Sequence, residues 1–267
     1  MESSENKKKY SVKFFKDGLP DWKRRKDPFF VRYTYRPLSF VGSSICANLG
    51  LSANTVSYLS IFIGLLAAVF YYFDSHIMHI WGGIFVNLWL LFDCIDGNIA
   101  RSVKKQPFGV FADATACYIL LAFIYTALGY AVYVDGGILF SKGNVWIVVI
   151  GSLVSTSDIV MRLVFHKFRE GEIELNKVIG KEEKFLDEYK PHEPSLKDRV
   201  MEAINIGGYQ PAIILVGTIF CFLDIVLLGC LLLDMVGLVF FTSRNIIKAI
   251  KLAKKYEEVY NKEWLNV

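Results

Sequence analysis

The chain has 267 residues, 54% of them hydrophobic, and a formal net charge of only +4. Apolar residues at that proportion, gathered in long blocks, exclude an ordinary soluble domain and predict an all-α, multi-pass membrane protein. Five cysteines without a CxxC pair (Cys46, Cys94, Cys117, Cys221, Cys230) read as buried thiols and exclude a disulfide framework, and the four histidines are too scattered for a His-rich metal centre.

The first 36 residues are polar and lysine-rich with no early apolar core, so no cleaved signal peptide is expected. Basic residues (Lys7, Lys8, Lys9, Lys13, Lys16, Lys23, Arg24, Arg25, Lys26, Arg32, Arg36) alternate with aromatics (Phe14, Phe15, Trp22, Phe29, Phe30, Tyr33, Tyr35). Such a pattern can serve nucleic acid. Ahead of a membrane domain it predicts an interfacial segment on anionic lipid, with no nucleic-acid partner. This arm and its juxtamembrane continuation cover 1–50.

Segments of about 20 residues can cross ~30 Å of hydrocarbon at ~1.5 Å per residue. They predict helices over 54–73, 78–100, 109–134 and 144–166, then a charged insert over 167–203. The apolar block 208–247 is too long for one helix and predicts two, with Asp224 marking the turn. The transmembrane domain thus spans 51–247 with six helices. Residues 248–267 form a basic amphipathic tail that continues the last helix or lies along the membrane.

Lysine and arginine set the orientation. They crowd the arm, the turn at Arg101, Lys104 and Lys105, the insert and the tail, whereas 74–77 has none and 135–143 only Lys142. The positive-inside rule then places both termini in the cytoplasm.

The most informative run is Asp93-x2-Asp96-Gly97-x2-Ala100-Arg101, seven residues, then Gly109-x3-Asp113-x3-Cys117. A carboxylate in the membrane costs roughly 2.5–3.5 kcal/mol on insertion scales, so three together argue for function. Helical spacing puts Asp93, Asp96 and Ala100 on one face and Gly109, Asp113 and Cys117 on another. The short turn between them predicts antiparallel neighbours whose faces meet, at the cytoplasmic end. Hard oxygen ligands suit Mg²⁺ or Mn²⁺, and two such ions would leave positive charge for a pyrophosphate. Arg101 offers a charge-assisted phosphate contact.

This run resembles the signature of the CDP-alcohol phosphatidyltransferase family. The upstream Leu51-Ser52-Ala53-Asn54-Thr55-Val56-Ser57 is similar to the family's Leu-Thr-Pro-Asn-x-Val-Thr stretch, with Ala53 in place of proline. The resemblance implies six helices and two divalent metals on Asp93, Asp96 and Asp113. It implies a nucleotide beside Asn54, Gly97, Ala100, Arg101 and Gly109, and a homodimer. It also implies transfer of a substituted phosphate from a CDP-alcohol, by default CDP-diacylglycerol, to an alcohol acceptor with release of CMP.

Two departures stand out. The family usually has eight residues between the arginine and the second glycine. The family also ends its motif in a fourth aspartate, assigned as the base for the acceptor hydroxyl, where this chain has Cys117. A thiol with an ordinary pKa of about 8.5 is a poor base at neutral pH. Catalysis through Asp113 with Cys117 or a substitute, a slow specialised enzyme, and a binding-competent inactive member all fit. Asp158 and Arg162, spaced i, i+4, read as a structural pair or as acceptor contacts. An ion-coupled transporter predicts inverted repeats, which are not visible, and an intramembrane prenyltransferase has Asn/Asp-x3-Asp motifs on distant helices.

Overall fold

The computed structural model describes residues 9–178 and 194–260, and every regular element among them is helical. Residues 179–193, the middle of the expected insert, and the outer ends of both tails lie outside the described residues. In chain order the elements are α1 (Val12–Asp17), α2 (Asp21–Lys26), a π-helical turn (Val31–Tyr35) running into α3 (Arg36–Asn48), and α4 (Ala53–Tyr71). Then come α5 (His76–Ser102), α6 (Gly109–Asp135), α7 (Trp146–Val178), α8 (Leu196–Ile204), α9 (Gln210–Ile219) and α10 (Leu223–Tyr260).

Five helices, α4, α5, α6, α7 and α10, are long and apolar enough to cross a membrane. The first three match the predicted segments to within three residues at each end. α7 runs 12 residues past its expected end at 166, and α10 continues the last apolar block to Tyr260. Beyond the apolar region these two extensions hold each other: Lys248 of α10 donates to Glu172 of α7 at 2.9 Å and sits over the Phe168 ring. As far as Tyr260 the tail is therefore a continued helix.

The block 208–247 does divide in two, but its first part is short. α9 has only 10 residues, about 15 Å of helix, half the hydrocarbon thickness. The chain breaks at Phe220–Phe222, where Cys221 takes a left-handed φ of 55°. That turn corrects two readings. Cys221 is exposed, and Cys46 and Cys117 are only partly covered, so just Cys94 and Cys230 are buried thiols. Asp224 lies past the turn, fully buried, where its carboxylate accepts from the backbone N–H groups of Leu139 and Phe140 in the α6–α7 loop.

The bundle is organised around α4 and α6. α4 packs along both α5 and α6, while α5 and α6 themselves touch little. This departs from the expectation of simple neighbours: Gly64 of α4 seats against Trp89 of α5 and Leu120 of α6, so α4 acts as a wedge between them. α6 and α7 pack closely because Gly129 and Gly151 face each other's backbones. A Cβ on Gly129 would lie 2.7 Å from the Ile147 carbonyl, and one on Gly151 would overlap the Tyr125 carbonyl.

The basic arm turns partly inward. Phe15 and Leu19 bury against Phe40, Ile95 and Ile99, capping the ends of α3 and α5. Asp27 accepts from Arg36 at 2.6 and 3.0 Å and pairs with Lys23 at 3.2 Å. Lys23 and Lys26 each reach Glu202 of α8 at 2.9 Å. Burial would push the Asp27 carboxyl up, but the Arg36 hydrogen bond and the Lys23 charge outweigh it and hold it below the ordinary range. Glu202 is likewise lowered against its burial by Lys23 and Lys26. Lys23 is raised despite its own burial by Asp27 and Glu202.

The signs define a pH window. Depressed carboxyls contribute stability above their unfolded values near 4 and lose it as pH falls through the lower folded ones. The raised lysine contributes below its unfolded value of about 10.4 and loses it only above its folded one. Docking of α1 and α2 should therefore be flat from about pH 5 to 9, as read by hydrogen exchange of residues 12–26. Asp27→Asn leaves the buried Arg36 without a carboxylate and should cost on the order of 3 kcal/mol in thermal unfolding.

Candidate active site

α5 presents Asp93 and Asp96 one turn apart near its C-terminal end, and α6 presents Asp113 from its second turn. One oxygen from each carboxylate lies within 4.8 Å of the other two. Asp96 is buried, Asp93 half-buried and Asp113 exposed. Ser57 of α4 donates its hydroxyl to Asp96 Oδ2 at 2.5 Å. The wedge helix thus also orients the deepest carboxylate.

Two cavities meet at this cluster. The first, about 650 Å³, is lined by Asn54, Ser57, Asp96, Gly97, Ala100, Arg101, Gly109, Asp113 and the α5–α6 turn. The second, about 330 Å³, is lined by Lys23, Arg36, Asp93, Asp113, Cys117, Tyr118, Arg162, Glu202 and Asn205. Asp113 borders both. Every residue expected beside the nucleotide lies in the first cavity, and Cys117 and Arg162 lie in the second. Asp158 is buried and bonded to Arg162, with Nε donating at 2.8 Å. Arg162 Nη2 also reaches Asn205 at 3.5 Å, and its guanidinium lies over the Tyr118 ring.

Small residues shape the first cavity. A Cβ on Gly97 would meet the Arg101 guanidinium at 2.8 Å, so glycine there lets Arg101 fold back along the helix. Arg101 Nη2 donates to Asn98 Oδ1 at 3.3 Å, and Arg36 Nη1 donates to the same oxygen at 3.3 Å. The α5–α6 turn closes through Phe108 at a left-handed φ of 57°, which costs a non-glycine residue about 1–2 kcal/mol. Asn54 helps hold it by donating Nδ2 to the Pro107 carbonyl at 2.8 Å. The Asn54 Oδ1 atom is buried without a partner. An orphan acceptor at a cavity wall is fitted to a donor on a bound molecule.

The donor set suits a hard divalent cation: all oxygen, three carboxylates, no nitrogen or sulfur. Carboxylates this close repel one another, and a bound cation removes that cost.

Several site residues escaped the sequence reading. Ser57 sat in the quoted Leu51–Ser57 stretch without a role. Lys23, Arg36 and Glu202 carried no local signal, because Lys23 and Glu202 are 179 positions apart.

A multi-span helical bundle with a carboxylate cluster between two polar cavities is the frame of an integral-membrane enzyme acting on phosphate-bearing substrates. Residues 51–185, about half of the chain, match the family model for CDP-alcohol phosphatidyltransferase, and the chain belongs to that family. No curated protein compared with the chain matches it. Family and architecture together support a phosphotransferase, in a family that generally uses divalent metals.

The Ser57 hydrogen bond gives a direct test. Ser57→Ala should leave the fold intact and weaken Mn²⁺ binding about 10- to 100-fold, as read by the free-Mn²⁺ electron paramagnetic resonance signal during titration.

Proposed function

We propose that this protein transfers a substituted phosphate from a CDP-alcohol, by default CDP-diacylglycerol, to an alcohol acceptor and releases CMP. The observation that carries the reading is the carboxylate cluster seated between two separate cavities, with Asp113 common to both. One cavity serves the donor nucleotide and the other the acceptor. On this reading the chain crosses the membrane six times, α9 with the irregular 205–209 making the shortened crossing. Both termini are cytoplasmic, the cytoplasmic arm and tail flank the catalytic domain, anionic lipid meets the arm, and the protein works as a homodimer.

Asp93, Asp96 and Asp113 are the residues to hold two Mg²⁺ or Mn²⁺ ions. Bound there, the ions would offset the charge of the pyrophosphate and of the transition state. Arg101 contacts the donor phosphates, and Asn54 Oδ1 accepts from the nucleotide. The acceptor hydroxyl oxygen forms the new P–O bond as the bond to the CMP oxygen breaks. Asp113, the carboxylate facing both cavities, takes the hydroxyl proton. Cys117, one turn further along α6, forms an uncharged wall of the acceptor cavity.

The cations of the acceptor cavity are already held in ion pairs. Lys23 pairs with Asp27 and Glu202, Arg36 with Asp27, and Arg162 with Asp158. A phosphorylated alcohol would have to compete with the carboxylates already in place, which favours a neutral one.

The test is Mg²⁺- or Mn²⁺-dependent CMP release by the purified protein in lipid, with CDP-diacylglycerol and a panel of neutral and phosphorylated alcohols. Acceptor-dependent release is expected, greatest with a neutral alcohol. Asp96→Asn should abolish it, and full turnover in that variant would overturn the metal assignment. Asp113→Asn should lose about 10²–10⁴-fold or more, and Cys117→Ala should stay within about tenfold of the parent. Equal losses in the two would make the thiol the base. A faster Cys117→Asp would show that the enzyme lacks a carboxylate it could use, and silence of the parent with every acceptor would favour an inactive, CDP-alcohol-binding member.

A further inference from the structure

At the opposite end of the bundle from the aspartate cluster, three other ligand-bearing side chains converge. His76 and His79 lie one turn apart at the start of α5, and Asp135 is the last residue of α6. His76 Nδ1 and His79 Nδ1 approach the same Asp135 oxygen, Oδ2, at 2.8 and 2.7 Å. His79 is fully buried and its ring stacks on Tyr71, whereas the His76 side chain is 37% exposed. Four histidines scattered along the sequence gave no hint of this pair.

The hydrogen bonds of His79 constrain what can sit there. Its Nε2 lies 2.6 Å from the Phe73 carbonyl oxygen. A carbonyl only accepts, so Nε2 carries the hydrogen. In a neutral ring Nδ1 then bears a lone pair, and it points at a carboxylate oxygen that also bears lone pairs. Something positive must lie between them. A second observation asks for the same thing: Asp135 ends α6, where the helix dipole is negative and a carboxylate is unfavourable without a cation. Metal-bound histidines characteristically donate their other ring N–H to a backbone carbonyl, which is what His79 does with Phe73.

We propose that His76, His79 and Asp135 form a transition-metal site of the Zn²⁺ class. The two imidazoles and one carboxylate are the borderline N/O set that binds Zn²⁺. The aspartate cluster, all oxygen, selects hard ions instead. Ligand bonds of about 2.0–2.2 Å require the Asp135 oxygen and the two nitrogens to open by roughly half an ångström from hydrogen-bond spacing. Asp135, at a helix terminus with its side chain partly exposed, can give that movement. Water completes the coordination on the exposed His76 side. The ion ties the end of α4, through the Phe73 carbonyl, to the starts and ends of the two helices that carry the aspartates.

The experiment uses the full chain in detergent, stripped with chelator and then saturated with Mg²⁺ to occupy the aspartate cluster. Zn²⁺ is titrated and measured per chain, and thermal midpoints are recorded with and without it. The expected result is one Zn²⁺ retained per chain, retained equally by Asp96→Asn, with a raised midpoint. His76→Asn and Asp135→Asn should each bind at least about tenfold more weakly and lose the Zn²⁺-dependent rise. No retained Zn²⁺, or retention unchanged in both variants, would overturn the proposal and leave the cluster as an ion pair. Should a variant fail to fold, Co²⁺ bound to the parent chain decides. An intense visible band from four-coordinate, nitrogen-ligated Co²⁺ supports the site. The weak band of six-coordinate oxygen ligation alone sinks it.

Discussion

Three carboxylates held within 4.8 Å of one another at the edge of an apolar bundle are the constraint on which the rest of this structure depends. Each repels the others, and each would rather be in water. They stay together because α4, not direct α5–α6 packing, sets the distance between the two helices that carry them. The same helix supplies the Ser57 hydroxyl to Asp96 and the Asn54 amide to the α5–α6 turn. A single element therefore fixes the helix separation, the buried carboxylate and the loop that roofs the first cavity.

The arm completes what α4 begins. Arg36 joins two networks: its guanidinium donates to Asp27 on one side and to Asn98 on the other. Asn98 in turn accepts from Arg101 and donates to Ser39 and Ser43. α5, next to the site, is thus braced by hydrogen bonds from α3. Residues that look like a lipid-binding patch in sequence serve as a wall of the second cavity, because their counter-charges Asp27 and Glu202 draw them inward.

What could be read in advance follows from the range of the interactions. The long apolar helices were legible because crossing a bilayer imposes a length, and Ala53–Tyr71, His76–Ser102 and Gly109–Asp135 fall where that length puts them. The aspartate cluster was legible because its spacing is local to two helices and a turn. The shortness of α9 was not, because apolar composition continues through the break at Phe220–Phe222. Nor was the inward fold of the arm, which rests on a Lys23–Glu202 contact across 179 residues. Asp135 shows the same limit: nothing near it in sequence reveals that two α5 histidines will face it.

Cys117 changes the arithmetic of the site as well as its chemistry. On the proposed reading two divalent ions bring four positive charges. Four carboxylates would cancel them, whereas Asp93, Asp96 and Asp113 leave one in excess. The excess strengthens the hold on an anionic pyrophosphate while removing one candidate base. The second cavity fits that exchange. The cations of its lining, Lys23, Arg36 and Arg162, are already paired with carboxylates, and a neutral acceptor brings no further negative charge to a site already holding a pyrophosphate. An uncharged side chain at the end of the motif and an acceptor wall of paired cations are therefore two parts of the same electrostatic solution.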